Sequence, residues 1–500
     1  MTAEFYLTLL AWISPELVVV FTGLVVLIAD LLLPASWKNQ LAYASILGLV
    51  VALALDRWYV MPMSVLPEVP ALPPLLYISP FTSFIKEGIL VASALTIILY
   101  QQQKGLMDVH PGEFLSLLLF SVSGMMFLVS SNDLLMVFIS MEFIGIVSYI
   151  IVGYIREDLK SGEAALKFFL IGAFSSAIMV YGMSLLYGLL GTTSISEMGK
   201  QLMENPEKTT TLLRVSVLFL LVGLGFKLAM VPFHTWLPDA MEGGPTPVAA
   251  FISVAPKAAG LAIVIRIFGE AFPLSKIQMT GILSVLAIAT MTFGNLMAIP
   301  QRNVKRLLAY SSIGHIGYIL IGVIAANEFG AAGVMIYIIA YIFMNMGAFA
   351  CVVSISNGIG SDEIEDYAGL AQRNFPIAFL LVIFLLSLGG LPPTAGFIGK
   401  WYVFGSAIKA AHGVPEPFSS PYLWLAVAGI LNSVISVYYY FRLVYQMFFR
   451  EPRENTGLEG SGLLLLSAGF SAAMVLIVGI FPNPFIAAAK SAVALLHLWT

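Results

Sequence analysis

An all-α polytopic membrane protein with about 14 transmembrane helices is the fold class this sequence predicts, and three observations predict it. The 500 residues are 59% hydrophobic and 10% charged, whereas a soluble domain is about 45–50% apolar and about 25% charged. A helix needs about 20 apolar residues to cross the hydrocarbon layer, and the chain holds fourteen such runs, near 13–33, 40–60, 81–100, 112–129, 133–154, 164–190, 212–235, 246–271, 277–299, 303–325, 330–355, 376–408, 421–449 and 461–482. The 24 Lys and Arg fall mostly at the ends of these runs.

The remaining composition excludes several functions. A net charge of −4 leaves no basic patch, which sets nucleic-acid binding aside. Cys351 is the one cysteine, so the chain has neither a disulfide, nor a zinc cluster, nor a thiolate set for an iron–sulfur centre. The N-terminal stretch Met1-Thr-Ala-Glu-Phe has neither a basic n-region nor a small-residue cleavage site, and the expectation is a mature start. An even number of crossings puts both termini on one side. With that side outside, the inner loops carry ten Lys and Arg and the outer loops seven, which leans toward outside termini under the positive-inside rule.

Along the chain, Pro and Gly interrupt three runs beside lysines. The seventh reads Gly223-Leu-Gly-Phe-Lys227-Leu-Ala-Met-Val-Pro232, the eighth has Pro247 and Pro256 beside Lys257, and the twelfth reads Gly389-Gly-Leu-Pro392-Pro393-Thr-Ala-Gly-Phe-Ile-Gly-Lys400. Proline frees a carbonyl that hydrocarbon tolerates only when protein or water satisfies it. A helix kinked for packing is the plain alternative, but three breaks beside three lysines favour a hydrated interior path. The segments Gly243-Gly-Pro-Thr-Pro-Val-Ala-Ala-Phe-Ile252 and Gly389-Gly-Leu-Pro-Pro-Thr-Ala-Gly-Phe-Ile398 are also alike. They fall in runs eight and twelve, whereas an inverted repeat would pair seven with twelve, so the likeness reads as coincidence.

Glu142, Lys227, Lys257 and Lys400 are the charges that do not belong in hydrocarbon. An ionised side chain at the bilayer centre costs ~2.5–3.5 kcal/mol, on the order of 10–14 kcal/mol for four before any pairing. Glu142 lies nine residues after Asp133, about 14 Å into its helix, while Lys227, Lys257 and His315 lie about 22, 16 and 18 Å into theirs. Lys227 can snorkel, or pair with Glu142 as a fixed lock between helices. In a third reading the pair switches: burial disfavours an ammonium and a nearby carboxylate favours it, so a changing distance moves the proton. Lys257 has no acidic partner in its helix, which favours an intermediate proton acceptor. His315 can relay protons or be hydrogen-bonded inside the bundle. Lys400 precedes Trp401 and Tyr402, an interfacial pairing, yet apolar residues continue to Ile408 and favour the interior. Arg302, Lys305 and Arg306 read as an inner-face charge patch. His234, in Pro232-Phe-His-Thr-Trp236-Leu-Pro238, sits at a channel mouth or caps a turn.

The stretches Ser130-Ser-Asn-Asp-Leu-Leu-Met-Val-Phe-Ile-Ser-Met-Glu142, Phe226-Lys-Leu-Ala-Met-Val-Pro-Phe-His-Thr-Trp-Leu-Pro-Asp239, Gly243-Gly-Pro-Thr-Pro247 and Lys305-Arg-Leu-Leu-Ala-Tyr-Ser-Ser-Ile-Gly-His315 resemble the antiporter-like subunits of respiratory complex I and Mrp-type antiporters, from about 110 to 450. Lys400 and an end after fourteen helices resemble the N type, where the M type carries glutamate and the L type a long lateral helix. The resemblance implies two inverted five-helix repeats, 112–272 and 277–450, between an N-terminal three-helix segment (1–110) and a C-terminal helix (461–500), with helices 7 and 12 broken. It implies a proton relay of Glu142 and Lys227 as ion pair, Lys257 as connecting lysine and Lys400 as terminal lysine, with His315 and His234 in second rank. It further implies a subunit of a proton-translocating NADH-quinone oxidoreductase with no redox centre or cofactor of its own: NADH, FMN, iron–sulfur clusters and quinone belong to partner subunits. The implied partners are neighbouring antiporter-like and small membrane subunits and the lipid bilayer, in a bacterial inner membrane or a thylakoid. Open alternatives are an Mrp-type cation/proton antiporter subunit, the membrane subunit of an energy-converting hydrogenase, a structural subunit braced by buried charges, and, more remotely, a solute transporter.

Overall fold

The computed structural model describes residues 9–60, 62, 75–107, 109–453 and 461–494. Thirteen helices among them are long and apolar enough to cross a membrane. A fourteenth span, the twelfth in order, is divided into Phe375–Gly389 and Ala395–His412. The seventh is divided as well, into Thr211–Leu228 and Trp236–Gly243.

The expected runs hold, with differences at their ends. The sixth and eleventh spans, Leu159–Leu190 and Glu328–Ile359, each run 32 residues, because a polar first turn extends the sixth and a polar last turn, through Ser356 and Asn357, extends the eleventh beyond the apolar stretch. The eighth span is unbroken over Thr246–Arg266 with Pro256 inside it, so the break expected there is absent. Its most apolar window and that of the tenth span, Val304–Ile324, are wholly buried. These two form the centre around which the other helices pack. A short helix, Ile195–Glu204, and a last one, Asn483–Ala494, were not anticipated from hydropathy.

Two groups of five spans repeat in detail. Asp133 caps the fifth span, its carboxylate accepting from Leu135 N at 2.8 Å, and Asn303 caps the tenth by accepting from Lys305 N at 2.9 Å. Each cap is tied to the loop after the following span: Leu134 N to Thr193 O at 2.9 Å and Ile195 N to Asn132 O at 2.8 Å, against Val304 N to Asp362 O at 2.8 Å and Ile364 N to Arg302 O at 2.7 Å. Both 32-residue spans end on a left-handed glycine, Gly191 (φ 70°) and Gly360 (φ 76°). Both breaks open on a left-handed residue, Ala229 and Gly390, followed by a reach-back bond, Met230 N to Gly225 O at 2.8 Å and Leu391 N to Leu386 O at 3.0 Å. Because each group holds an odd number of spans, the second starts on the opposite side of the membrane and is inverted relative to the first. The 243–252 and 389–398 segments occupy different places in this scheme, one opening the eighth span and the other crossing the break of the twelfth.

Close contact fixes the ninth span, Thr280–Ala298, on the tenth. A Cβ on Gly294 would stand 2.5 Å from Gly314 N, and one on Gly317 2.6 Å from Met291 N. Small residues let membrane helices approach to backbone contact, where dispersion and not water expulsion holds them together.

Candidate functional site

The three intramembrane lysines are all buried: Lys227 is 7% exposed, Lys257 1% and Lys400 4%. An ammonium has three donors and no acceptor, so its partners define what it can do.

Lys400 finds three. Its Nζ donates to Leu388 O at 3.0 Å, Gly389 O at 2.9 Å and Ser433 Oγ at 2.9 Å. The two carbonyls are free because Phe375–Gly389 ends there and its last turn has no following amides to accept from. They also lie at the negative end of that half-helix. The Tyr318 ring lies 4.9 Å from the same ammonium. Gly390 makes room, since a Cβ there would stand 2.6 Å from Lys400 Cδ. Trp401 is 64% exposed while Lys400 is buried: adjacent residues face opposite sides of the helix, which is why the sequence offered both an interfacial and an interior reading.

Lys257 donates to Ser312 Oγ on the tenth span. The adjacent Ser311 hydroxyl meets Tyr440 OH, and Tyr440 OH lies 3.3 Å from His315 Nε2. His315 Nδ1 is 2.7 Å from Tyr337 OH. Alongside, Asn295 Nδ2 donates to Tyr318 OH at 2.7 Å and Tyr439 OH donates to Asn295 Oδ1 at 2.9 Å. A buried field of hydroxyl, amide and imidazole groups therefore occupies the space between Lys257 and Lys400, and His315 is inside it.

Glu142 and Lys227 are not joined. Glu142 accepts from Ser176 Oγ on the sixth span, and among the described residues no ion pair within 4.0 Å links it to Lys227. Lys227 stands in the last turn of Thr211–Leu228, its stem beside Gly260 of the eighth span, one turn beyond Lys257. His234 lies in the turn between the halves of the seventh span, 6% exposed, its ring edge-on to Phe293 at 4.7 Å and its Nδ1 without a hydrogen-bond partner among the described residues.

The repeat shows how the two halves diverged. Glu142 and Ser312 each lie nine residues after their capping residue, Asp133 and Asn303. Lys227 and Leu388 each lie two residues before the left-handed residue of the break, and Asp239 and Lys400 each lie ten after it. On the broken spans, the first half thus carries Lys227 on the near side of its break and the second half carries Lys400 on the far side. Asp239 is paired with Arg306 at 2.7 Å and Lys167 at 3.0 Å, and Lys305 with Asp362 at 3.3 Å. Of the expected inner-face patch, Lys305 and Arg306 are therefore both engaged in ion pairs.

Sequence reasoning missed Ser312, Ser433, Tyr318, Tyr337 and Tyr440, which carry no charge and no spacing signal among 20 tyrosines. It also missed Arg266, fully buried, paired with Glu270 at 3.0 Å, bonded to Asn132 Oδ1 at 2.8 Å and lying 4.1 Å over the Tyr77 ring. Among the described residues no cluster of three or more His, Cys, Asp or Glu is arranged to hold a metal.

Fourteen spans, two of them broken and lysines buried at the breaks, define a polytopic bundle built around an ionisable interior. The chain belongs to the family described as NADH:quinone oxidoreductase/Mrp antiporter, TM, whose pattern matches residues 131–436. It is 37% identical over 488 residues to NADH-quinone oxidoreductase subunit N of Trichlorobacter lovleyi, covering 97% of each chain. It is 41% identical over 498 residues to NAD(P)H-quinone oxidoreductase subunit 2 of a Synechococcus strain, covering 96% of this chain and 90% of the relative. Its fold matches a chain of the aureothin-bound respiratory complex I of Thermus thermophilus with a TM-score of 0.78 at 28% identity, over 96% of this chain and all of that one.

Proposed function

We propose that this chain is the N-type antiporter-like subunit of an NADH:quinone oxidoreductase and that it moves protons across the membrane. The observation that carries the reading is the run of three buried ammonium groups, with hydroxyl and imidazole groups filling the interval from Lys257 to Lys400. Buried charges of this kind, facing a bundle interior, are what proton pathways in membranes are made of.

In this reading the structure is the separated state of the first half-site, with Glu142 held by Ser176 and Lys227 released from it. A displacement transmitted from the quinone-reducing part closes the Glu142–Lys227 pair and draws a proton onto Lys227. Separation passes it to Lys257, through Ser312, Ser311, Tyr440 and His315, and on to Lys400, whose cradle of helix-end carbonyls holds it until release. Redox chemistry belongs to partner subunits carrying NADH, FMN, iron–sulfur clusters and quinone. The neighbours are other antiporter-like and small membrane subunits, the membrane is a bacterial inner or thylakoid membrane, and both termini lie outside.

The test is proton uptake by proteoliposomes holding the assembled complex, driven by NADH and quinone, with and without sodium. Acidification that follows electron transfer and ignores sodium is expected. Exchange driven by a sodium gradient without electron transfer would assign the chain to the Mrp branch of its family instead.

A further inference from the structure

A second set of buried charges lies in the N-terminal three-helix unit, away from the lysine line. Lys86 Nζ meets Glu16 Oε1 at 2.6 Å with both side chains 1% exposed, and Asp56 beside them is fully buried. Glu16 opens the first span, Ser14–Leu32; Asp56 follows the helical stretch Gln40–Leu55 of the second; Lys86 lies in the second turn of the third, Pro80–Gln102. The three therefore gather at one end of the bundle, on the side from which the first span enters.

The charges do not balance. Two carboxyl groups face one ammonium, and the ammonium is already taken by Glu16. Among the described residues neither oxygen of Asp56, nor Glu16 Oε2, nor the fully buried Ser83 hydroxyl has a hydrogen-bond partner. The neighbouring titratable groups do not mend this. Arg57 and Glu87 lie 3.5 Å apart, with side chains 56% and 24% exposed, and their opposite charges offset each other. A buried carboxylate with no ammonium of its own is costly, and a carboxyl in that position takes up a proton instead.

We propose that Glu16, Asp56 and Lys86 form a second proton-binding site, in which one proton resides on Asp56 while Lys86 is paired with Glu16. The site exchanges its proton with the membrane face beside the Arg57–Glu87 pair. Lys86 carries one positive charge and offsets only one of the two carboxylates, so the identity of the neutral carboxyl follows the ammonium: when Lys86 turns toward Asp56, the proton passes to Glu16. The site makes no use of Glu142, Lys227, Lys257 or Lys400, and its failure would leave the relay reading untouched.

The test is infrared difference spectroscopy on the assembled complex in membranes at pH 7, wild type minus Asp56→Asn. Loss of a carbonyl band of a protonated carboxylic acid is expected, with that band shifting when the membranes are transferred to D2O. Loss of a carboxylate band in its place would overturn the assignment, and an acid band that does not shift would overturn the claim of exchange. Glu16→Gln is the second variant, and it serves as well where Asp56→Asn does not assemble. It leaves one carboxyl for one ammonium, so Asp56 ionises and the same acid band is expected to vanish although Asp56 is intact. Persistence of the band in Glu16→Gln would overturn the account of a shared ammonium.

Discussion

Alanine at position 390 should dislodge the ammonium of Lys400 without removing any charged group. Gly390 has φ of 80°, and its added Cβ would stand 2.6 Å from Lys400 Cδ and 3.0 Å from Nζ. The left-handed backbone costs an L-residue about 1–2 kcal/mol. The side chain must then swing away, and each hydrogen bond that an ammonium loses is worth about 1.5–3 kcal/mol. Losing one of the two helix-end carbonyls brings the total to ~2.5–5 kcal/mol, which is about two to four orders of magnitude in an equilibrium. Part of this falls on folding and part on the position of Lys400. The assay is proton pumping and electron transfer, recorded side by side in membranes, with assembly followed on a native gel. Gly390→Ala is expected to assemble with reduced thermal stability and to pump far less than its parent. Pumping at the wild-type rate with an unchanged melting profile would refute the claim that the cradle positions the ammonium.

Ser312→Ala removes the one hydroxyl that Lys257 donates to, at about 1.5–3 kcal/mol; pumping should fall by roughly one to two orders of magnitude, whereas Ser312→Thr, which restores a hydroxyl, should recover much of it. Arg266→Ala breaks a fully buried pair with Glu270, which costs about 3–5 kcal/mol, so the melting temperature and the amount of assembled complex should drop while the protons moved per electron in what survives stay constant.

Which features the sequence disclosed follows from how loudly each residue contrasts with its surroundings. Lys227, Lys257 and Lys400 stand out because an ionised group amid apolar residues has one cheap explanation, an interior surface, and all three are buried. The breaks of the seventh and twelfth spans were legible because Pro and Gly act on the backbone locally. Pro256 was misleading for the same reason, since a helix surrounded on all sides by protein holds its course through a single missing amide. The helix ends at Leu159 and Ile359 were hidden by polar turns, which hydropathy reads as loop although they are helical beyond the apolar layer. Glu16 and Lys86 escaped notice because charges near the ends of apolar runs ordinarily meet water, and only the packing of the second span against them removes it. Ser433, Tyr337 and Tyr440 gave no signal at all: their function comes from which helix faces meet, and that is a property of the assembled bundle. The Glu142–Lys227 pair is the opposite case, two residues that the sequence brought together and the structure holds apart.

The central claim rests on Lys227, the first ammonium of the line, in the last turn before the break of the seventh span. The direct measurement is proton pumping and electron transfer, recorded side by side in membranes carrying Lys227→Ala, with assembly of the complex verified on a native gel. The account predicts an assembled complex in which both rates fall together, because a relay coupled to electron transfer stalls it when the proton has nowhere to go. An assembled complex with both rates at wild-type values would contradict it and leave Lys227 a structural lysine.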